Sequence, residues 1–439
     1  MIWNISFSGW RATWRQCGGS VVILFCGALA LALWFQWPRT FVDPDSFYHA
    51  KMAWIMGTRQ WVVSSFPWLS DFTVLGDYYI DQHFLYHVLL IPFVLGLGMM
   101  TGTKVFTALA AASVVTVFYM ILRRLGARGA FIFSLFLLFT EPFWFRMNLA
   151  KAPSLSLIVL FVGLLLSVRN QWRWLFPLSF FYVWMYGGFP LLFVVTGVVA
   201  GVSMAKALLQ PADFKQRWRA LWRHPQWKSV GAVASGMLAG VVVNPFFPNN
   251  LAFYWQQTVQ IGLINYQTKI GVVREWYPYA ITDLIPQTIF VSIFVLVAMV
   301  FFVLRRRQQP THHIATGVLA LGFFLLVLKS RRYIEYYVPF AILWSALVIS
   351  ETIVATGWKR IWNLGRNFFE EQAFLAVLSV MVLLIFPPII IVRDFFASHN
   401  IFVRAHAESR YAGASKWLRE HATPDAIIFH SDWDDFPAL

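Results

Sequence analysis

The sequence has little charge and almost no cysteine. Asp, Glu, Lys and Arg make up 13% of its 439 residues, about half of the ~25% that is usual in soluble domains. The two cysteines, Cys17 and Cys26, lie in or near the first apolar run, which excludes a disulfide framework. We expect no cleavable signal peptide, because no small-residue cleavage site follows the apolar run at residues 19–37.

What the sequence has instead is apolar surface. Hydrophobic residues make up 59% of the chain and the mean hydropathy is +0.61. A net charge of +15 would indicate a nucleic-acid partner in a soluble protein. Here the long apolar runs indicate that the surrounding solvent is lipid, so the basic residues are interpreted through membrane orientation and no nucleic-acid partner is expected.

Eleven apolar runs approach the ~20 residues that a helix needs to cross a bilayer. They predict an all-α polytopic membrane protein with a transmembrane domain at residues 1–392. The predicted spans are 19–37, 105–122, 130–145, 153–168, 174–188, 190–206, 229–244, 284–304, 313–329, 334–353 and 373–392.

A twelfth apolar run, Phe84–Met100, is short and carries His87 and Pro92. If this run does not cross, the strongly basic segments all fall on one side, as the positive-inside rule requires. We therefore predict a re-entrant or interfacial helix here. The N-terminus is then cytoplasmic in an inner (plasma) membrane. The loops at residues 38–104 and 245–283 are extracytoplasmic.

The segment after the last predicted span has the texture of a soluble domain. Residues 411–421 predict an amphipathic helix, and residues 426–430 predict a strand. Residues 393–439 are therefore expected to begin a small α/β extracytoplasmic domain. A truncated chain and a naturally short form would both explain its size.

Two carboxylates, Asp43 and Asp45, follow the first span directly. A carboxylate at the membrane surface is costly unless it binds a cation or accepts hydrogen bonds. The pair is suited to a divalent metal or to general-base work on an acceptor. The alternative is that Asp45 only caps a helix over residues 46–56.

The same loop contains Asp77, Asp81, His83 and His87. His83 and His87 are one helical turn apart and would share a helix face. A metal site is one interpretation, and a polar loop leading into the interfacial helix is the other.

Further charges on the predicted outer face are few and distinctive. Glu275 interrupts an aromatic stretch and could join Asp43 and Asp45, or form a surface ion pair with Arg274. Four cations lie at outer helix ends and could bind a lipid (pyro)phosphate, because guanidinium groups match phosphate oxygens. Snorkelling to lipid headgroups is the alternative. The four are Arg146, Lys151, Arg331 and Arg332.

Four segments form an ordered set: Asp43-Pro44 with Tyr48-His49, Glu275 three residues before Pro278, Arg332 seven residues before Pro339, and Trp433-Asp434 after a predicted strand. In this order they resemble the catalytic subunit of oligosaccharyltransferases, a branch of the GT-C superfamily of membrane glycosyltransferases. The resemblance implies a GT-C-type bundle.

By this resemblance, Asp43 is a catalytic, metal-binding aspartate and Glu275 a catalytic glutamate, with Mg²⁺ or Mn²⁺ as the ion. Asp45 joins them as a catalytic residue and metal ligand in our hypothesis. Arg332 lies near the donor and acceptor sites. Acceptor binding is expected at Tyr48, His49, Trp433 and Asp434.

The sequence departs from the family at two places. The second acidic motif of the family, which supplies metal ligands, has no carboxylate here: the corresponding residues 146–154 contain Lys151 instead. Metal dependence is therefore left open, since a lysine could supply the same charge. Asp432 replaces the first Trp of the Trp-Trp-Asp motif, so asparagine-sequon specificity is not carried over.

The sequence thus predicts a glycosyltransferase that uses a polyprenyl-(pyro)phosphate donor and a protein, lipid or glycan acceptor. One alternative is a monosaccharide transferase acting on a hydroxyl acceptor. Another is a lipid-linked sugar transporter or flippase, which would predict mid-span charges and repeated halves. The sequence shows neither. A non-catalytic assembly protein would leave the aspartate pair without a purpose.

Overall fold

The computed structural model describes residues 7–65, 79–210, 213–264, 274–305, 309–357, 363, 366, 373–423 and 426. Helices dominate it. In the first half of the chain they are α1 (Phe7–Gln36), α2 (Asp45–Thr58), α3 (Phe84–Leu97), α4 (Met99–Arg124), α5 (Ala130–Leu138), α6 (Glu141–Met147), α7 (Pro153–Val168), α8 (Trp172–Met185) and α9 (Pro190–Leu208).

The second half continues in the same way, with a π-helix at Gln256–Ile264 and 3₁₀ turns at Arg274–Trp276 and Arg331–Tyr333. Its helices are α10 (Phe214–Trp222), α11 (Gln226–Val242), α12 (Asn250–Trp255), α13 (Ile281–Gln287), α14 (Ile289–Leu304), α15 (Thr311–Val327), α16 (Ile334–Thr356), α17 (Ala373–Val403) and α18 (Ala412–His421). Two short strands, β1 (Thr40–Phe41) and β2 (His406–Ala407), complete the fold.

Each of the eleven apolar runs lies largely within one helix or a bent pair of helices, as expected where lipid cannot satisfy backbone hydrogen bonds. In the described part of the chain, four helices are long and apolar enough to cross a bilayer. Two bent pairs, α5 with α6 at 74° and α13 with α14 at 85°, raise the number to six. The fold is therefore that of an all-α membrane protein with several apolar helices, and the count of eleven spans is not confirmed.

Helices α4 and α16 form the buried centre of the bundle. In each, 72% of the apolar window is buried inside the protein. Helix α4 packs against α1, α3 and α7, whereas α16 packs against α14 and α15. The 3₁₀ turn that carries Arg331 and Arg332 leads directly into α16, so both arginines are attached to a helix at the buried centre of the bundle.

Helix α3 is the segment predicted to be re-entrant or interfacial. It is followed by Gly98, whose φ of +82° favours glycine, and α4 then crosses it closely. A Cβ on Gly102 would lie 2.1 Å from the carbonyl oxygen of Phe93, so this crossing requires glycine. His87 near the start of α3 contacts His49, and Met100 just beyond its end clusters with Phe41. Both ends of α3 thus lie beside the segment that runs from β1 into α2.

The two strands attach the C-terminal segment to the first loop. β1 and β2 pair antiparallel, with Thr40 opposite Ala407 and Phe41 opposite His406. The Thr40 hydroxyl also donates to the carbonyl of Phe402. β1 ends two residues before Asp43. The end of α17 and the following strand β2 therefore hold the chain in place just before the aspartate pair.

Helix α18 lies where the sequence predicts an amphipathic helix. The predicted strand at residues 426–430 lies, apart from residue 426, outside the described residues. Helix α17 runs without a break through residue 393. The domain boundary placed there stays a prediction.

Candidate functional site: a carboxylate and cation cluster

The aspartate pair stands at the start of α2. Helix α2 begins at Asp45, and its preceding residue Pro44 makes no side-chain cap. The backbone N–H of Asp45 instead donates to Asp43 Oδ1 at 3.0 Å. Asp43 therefore orders the helix start, and the carboxylate of Asp45 is directed elsewhere.

Lys151 lies between the two aspartates. Its Nζ is 2.5 Å from Asp43 Oδ2 and 2.8 Å from Asp45 Oδ2. The side chain of Lys151 is 13% exposed, whereas that of Asp45 is 46% exposed. The lysine is thus enclosed, and Asp45 presents carboxylate surface to whatever enters the site.

The loop between α6 and α7 holds Lys151 in place. The Lys151 backbone N–H donates to the carbonyl of Leu149 at 2.7 Å. Gln36 at the end of α1 donates to the carbonyl of Asn148 at 2.7 Å, and the Ser154 hydroxyl donates to the carbonyl of Met147 at 3.1 Å. The loop is therefore anchored on α1 and on the first turn of α7.

The electrostatics keep the ammonium of Lys151 charged. Burial lowers the pKa of Lys151, but the carboxylates of Asp43, Asp45 and Glu275 outweigh burial and raise it above its ordinary value. Lys151 is therefore a permanent positive charge at neutral pH.

Glu275 is the second anionic centre of the cluster. Glu275 lies in the 3₁₀ turn Arg274–Trp276, where the Ser330 hydroxyl donates to its backbone carbonyl at 2.9 Å. Arg146 Nη1 lies 2.8 Å from Oε2, and Arg332 Nη1 lies 3.5 Å from Oε1. Burial raises the pKa of Glu275, but Arg332, Arg146 and Lys151 together lower it to about 2. Glu275 is therefore an ionised carboxylate at neutral pH.

The two arginines of the 3₁₀ turn before α16 have different surroundings. Arg332 donates to the Tyr186 hydroxyl at 3.0 Å, and its guanidinium lies 5.0 Å from the ring centroid of Trp276. Arg331 donates through Nε to the carbonyl of Pro278 at 3.1 Å and lies over the ring of Tyr279. Arg332 thus borders Glu275, whereas Arg331 braces the loop that carries Glu275.

Arg146 joins Glu275 to a fully buried partner. Its Nε and Nη2 lie 2.9 and 2.8 Å from Oε2 of Glu335, whose side chain is 0% exposed. The other oxygen of Glu335 is buried and has no hydrogen-bond partner among the described residues. Arg146 is therefore a bridge between two glutamates.

A chain of buried polar groups lies behind the aspartates. His87 Nδ1 is 2.7 Å from Asp81 Oδ2, and His87 Nε2 is 2.7 Å from His49 Nδ1. Asp81 and the two histidines are each at most 3% exposed. The hydroxyls of Tyr48 and Tyr79 lie 2.6 Å apart beside this chain. The histidines are thus hydrogen-bonded to one another and to Asp81.

No family model matches this sequence, and no curated protein matches it. Solved structures do match. The apo form of the Archaeoglobus fulgidus oligosaccharyltransferase aligns with a TM-score of 0.60 and 12% identity over 92% of this chain. Archaeoglobus fulgidus oligosaccharyltransferase AglB in complex with an inhibitory peptide and a dolichol-phosphate gives 0.61, with 12% identity over 94% of this chain.

A third structure, the same enzyme tethered to an acceptor peptide containing the NVT sequon, aligns with a TM-score of 0.59 and 12% identity over 97% of this chain. This chain has an oligosaccharyltransferase fold. It covers 58, 59 and 63% of the three matched chains, in the order given. The resemblance inferred from four short motifs is thereby confirmed at the level of the fold.

The oligosaccharyltransferase fold raises the question of a divalent metal, which the predicted ligands Asp43, Asp45 and Glu275 would hold. These residues do not fit one. The ammonium of Lys151 occupies the position between the two aspartates, and Arg146 and Arg332 take the oxygens of Glu275. A metal ion added to this site would be repelled by these cations, since two like unit charges 4 Å apart repel by about 4 kcal/mol at an effective dielectric constant of ~20. Within the described ranges no group of three or more His, Cys, Asp or Glu could hold an ion.

The structure brings most of the predicted site residues of this oligosaccharyltransferase-fold chain together. Asp43, Asp45 and Lys151 form one group, and Glu275 forms the other with Arg146 and Arg332. Tyr48 and His49 lie on α2 just behind the aspartates. Trp433 and Asp434 lie outside the described residues, so their assignment to acceptor binding stays a prediction.

Sequence reasoning missed two members of the cluster. Glu335 follows Arg332 by three residues, and an acid in the first turn of a largely apolar helix was the available signal. Tyr186 ends α8 in an extended conformation and carries no pattern that would have marked it. The contact between His49 and His87 was also missed, because the two residues lie 38 positions apart in the sequence.

Proposed function

We propose that the protein is a glycosyltransferase that moves a sugar or oligosaccharide from a polyprenyl-(pyro)phosphate donor to an acceptor on the extracytoplasmic face of the plasma membrane. The observation that carries the proposal is the cluster of Asp43, Asp45, Glu275, Lys151 and Arg332 at the predicted outer ends of the helices. Alternating fixed charges of this kind suit a reaction in which a phosphate leaves and a nucleophile loses a proton.

The matched solved structures support the same class of reaction. They are oligosaccharyltransferases, one in complex with a dolichol-phosphate and an inhibitory peptide, another tethered to an acceptor peptide. By analogy with them, we propose that the donor of this protein is a lipid-linked phosphate. A peptide is the first acceptor to test. The size of the donor glycan is not part of the proposal.

Donor binding is assigned to the cations at the mouth of the site. Arg332 presents a planar guanidinium directly before the buried helix α16, and such a group suits bidentate contact with phosphate oxygens. Lys151 supplies a second charge from the opposite loop. Arg146 contributes by keeping Glu275 ionised and in place, and Arg331 by bracing the loop of Glu275.

The chemical step is assigned to Asp45 and its neighbours. The acceptor N–H or O–H gives its proton to the carboxylate of Asp45, the more exposed of the two aspartates. The lone pair of that acceptor nitrogen or oxygen forms a bond to the anomeric carbon of the donor sugar as the bond from that carbon to the phosphate oxygen breaks. The polyprenyl-(pyro)phosphate leaves with the electron pair, next to Lys151 and Arg332. Asp43 orients Asp45 and Lys151.

The test is transfer of a radiolabelled sugar from a polyprenyl-linked donor in proteoliposomes that contain the purified full chain. General-base catalysis contributes about 10²–10⁴-fold, so Asp45→Asn should lower the rate by about that factor. Asp283→Asn is the matched control, because Asp283 is an exposed carboxylate in the first turn of α13 and lies outside the cluster, and it should retain the wild-type rate. Equal rates for Asp45→Asn and the control would overturn the mechanism.

A further inference from the structure

The strongest unexplained feature of the cluster is that every carboxylate expected to bind a metal already has a fixed cation. Asp43 and Asp45 share the ammonium of Lys151, and Glu275 contacts two guanidinium groups. Mg²⁺ requires near-ideal octahedral oxygen coordination at 2.0–2.1 Å. An ammonium whose nitrogen lies 2.5 and 2.8 Å from the two aspartates occupies the space in which such an ion would be coordinated.

The position of Lys151 is built rather than incidental. Its loop is anchored by Gln36 and by Ser154, and its side chain is enclosed. A lysine ammonium has three N–H donors. The aspartates engage two of them, which leaves the third for an oxygen of an incoming ligand. A divalent ion held by the same aspartates would make the same bridge.

We propose that the ammonium of Lys151 is the built-in counterpart of a divalent cation, holding Asp43 and Asp45 on one side and the leaving phosphate of the donor on the other, so that transfer needs no metal ion. This inference rests on the proposed transferase function. It assigns Lys151 a role in the reaction that an ordinary stabilising ion pair would not have.

The first experiment measures metal binding and does not depend on activity. Mn²⁺ alone is titrated into the purified full chain in detergent, and free Mn²⁺ is followed by electron paramagnetic resonance. The wild type should show no saturable site. Lys151→Asp removes the ammonium and adds a carboxylate between the aspartates, so it should gain one site, tighter than any wild-type binding by about tenfold or more.

Two further variants make the result specific. Lys151→Asp combined with Asp45→Asn should lose the gained site. Lys51→Asp makes the same charge change at an exposed position on α2 and should gain no site. Thermal unfolding checks that each variant is folded. If Lys151→Asp does not fold, Lys151→Gln replaces it and should also gain Mn²⁺ binding that depends on Asp45.

The second experiment separates this inference from the proposed function. Transfer by the wild type should continue at an unchanged rate in excess EDTA, and Lys151→Gln should lower it. Saturable Mn²⁺ binding by the wild type that Asp43→Asn abolishes, or transfer that EDTA stops and Mn²⁺ restores, would overturn the role of Lys151 while leaving the transferase intact. Absence of transfer from every polyprenyl-linked donor would instead overturn the proposed function, and the titration would still decide whether the aspartates can hold an ion.

Discussion

Arg146 binds Glu335 through two of its nitrogens, Nε at 2.9 Å and Nη2 at 2.8 Å from the same carboxylate oxygen. The remaining nitrogen, Nη1, contacts Glu275. Arg146 lies in the last turn of α6, so it couples this helix to the first turn of the central helix α16 and to the glutamate of the candidate site. The position of Glu275 is thus fixed by this bridge as well as by its own short 3₁₀ turn.

The Arg146–Glu335 pair predicts a large loss of stability when one partner is removed. Glu335→Ala leaves a buried guanidinium with only its contact to Glu275, and breaking a buried pair costs about 3–5 kcal/mol. Thermal unfolding in detergent should therefore show a strongly lowered midpoint. Arg393→Met is the control, because the Arg393–Asp394 pair is exposed at Arg393 and such pairs contribute about 0–1 kcal/mol. A shift no larger than that of the control would contradict the bridge.

Residues near one another in the sequence were the ones that could be predicted together. Asp43 and Asp45 follow an apolar run directly, so hydropathy alone predicts that they lie together at the membrane surface. The bond between Arg146 and Glu335 joins positions 189 residues apart, and no periodicity reports such a contact. The ion pair of Lys151 with the aspartates was only suggested. The sequence shows a lysine where the family has carboxylates, but it does not show where the lysine side chain points.

The positions of the helices were predicted well, whereas the predicted number of eleven membrane crossings is not confirmed. Apolar composition locates a helix whether it spans, bends or lies at the interface, so α5 with α6 and α13 with α14 are indistinguishable from straight spans in the sequence. The bends of 74° and 85° lie at short breaks between apolar helices, and hydropathy does not report an angle.

Arg332 predicts a difference between two conservative substitutions. Its planar group contacts Glu275, the Tyr186 hydroxyl and the face of Trp276, and a lysine keeps only the charge. One charged hydrogen bond contributes about 1.5–3 kcal/mol, so Arg332→Lys should lower kcat/KM for the donor by about 10–100-fold. Arg331→Lys should have a smaller effect, because Arg331 faces the loop at Pro278. Equal losses in steady-state kinetics would show that both arginines bind the donor.

Glu275 predicts a pH dependence of stability. Its pKa is lowered to about 2 in the folded protein, whereas an unfolded glutamate titrates near pH ~4.3. Because the folded value is the lower one, the ionised carboxylate stabilises the fold above pH ~4.3, and this contribution is lost as the pH falls from there toward 2. The unfolding midpoint of the wild type should fall across that window, and Glu275→Gln should flatten the dependence. Glu420→Gln, an exposed glutamate on α18, should leave the wild-type slope, and an equally unchanged slope in Glu275→Gln would contradict the assignment.

The buried chain of Asp81, His87 and His49 predicts an order of stabilities. A carboxylate oxygen of Asp81 accepts from His87 Nδ1 at 2.7 Å, and His87 Nε2 shares a second hydrogen bond with His49 Nδ1 at 2.7 Å. Asp81→Ala leaves His87 without its acceptor, and an unsatisfied buried polar group costs about 1–3 kcal/mol. Asp81→Asn should cost less, because its amide oxygen still accepts. Thermal unfolding of both variants, with Asp283→Ala as the exposed control, measures the order. If Asp81→Ala is as stable as the control, the histidines are not held by Asp81, and the alignment of His49 behind the aspartate pair must come from ring packing alone.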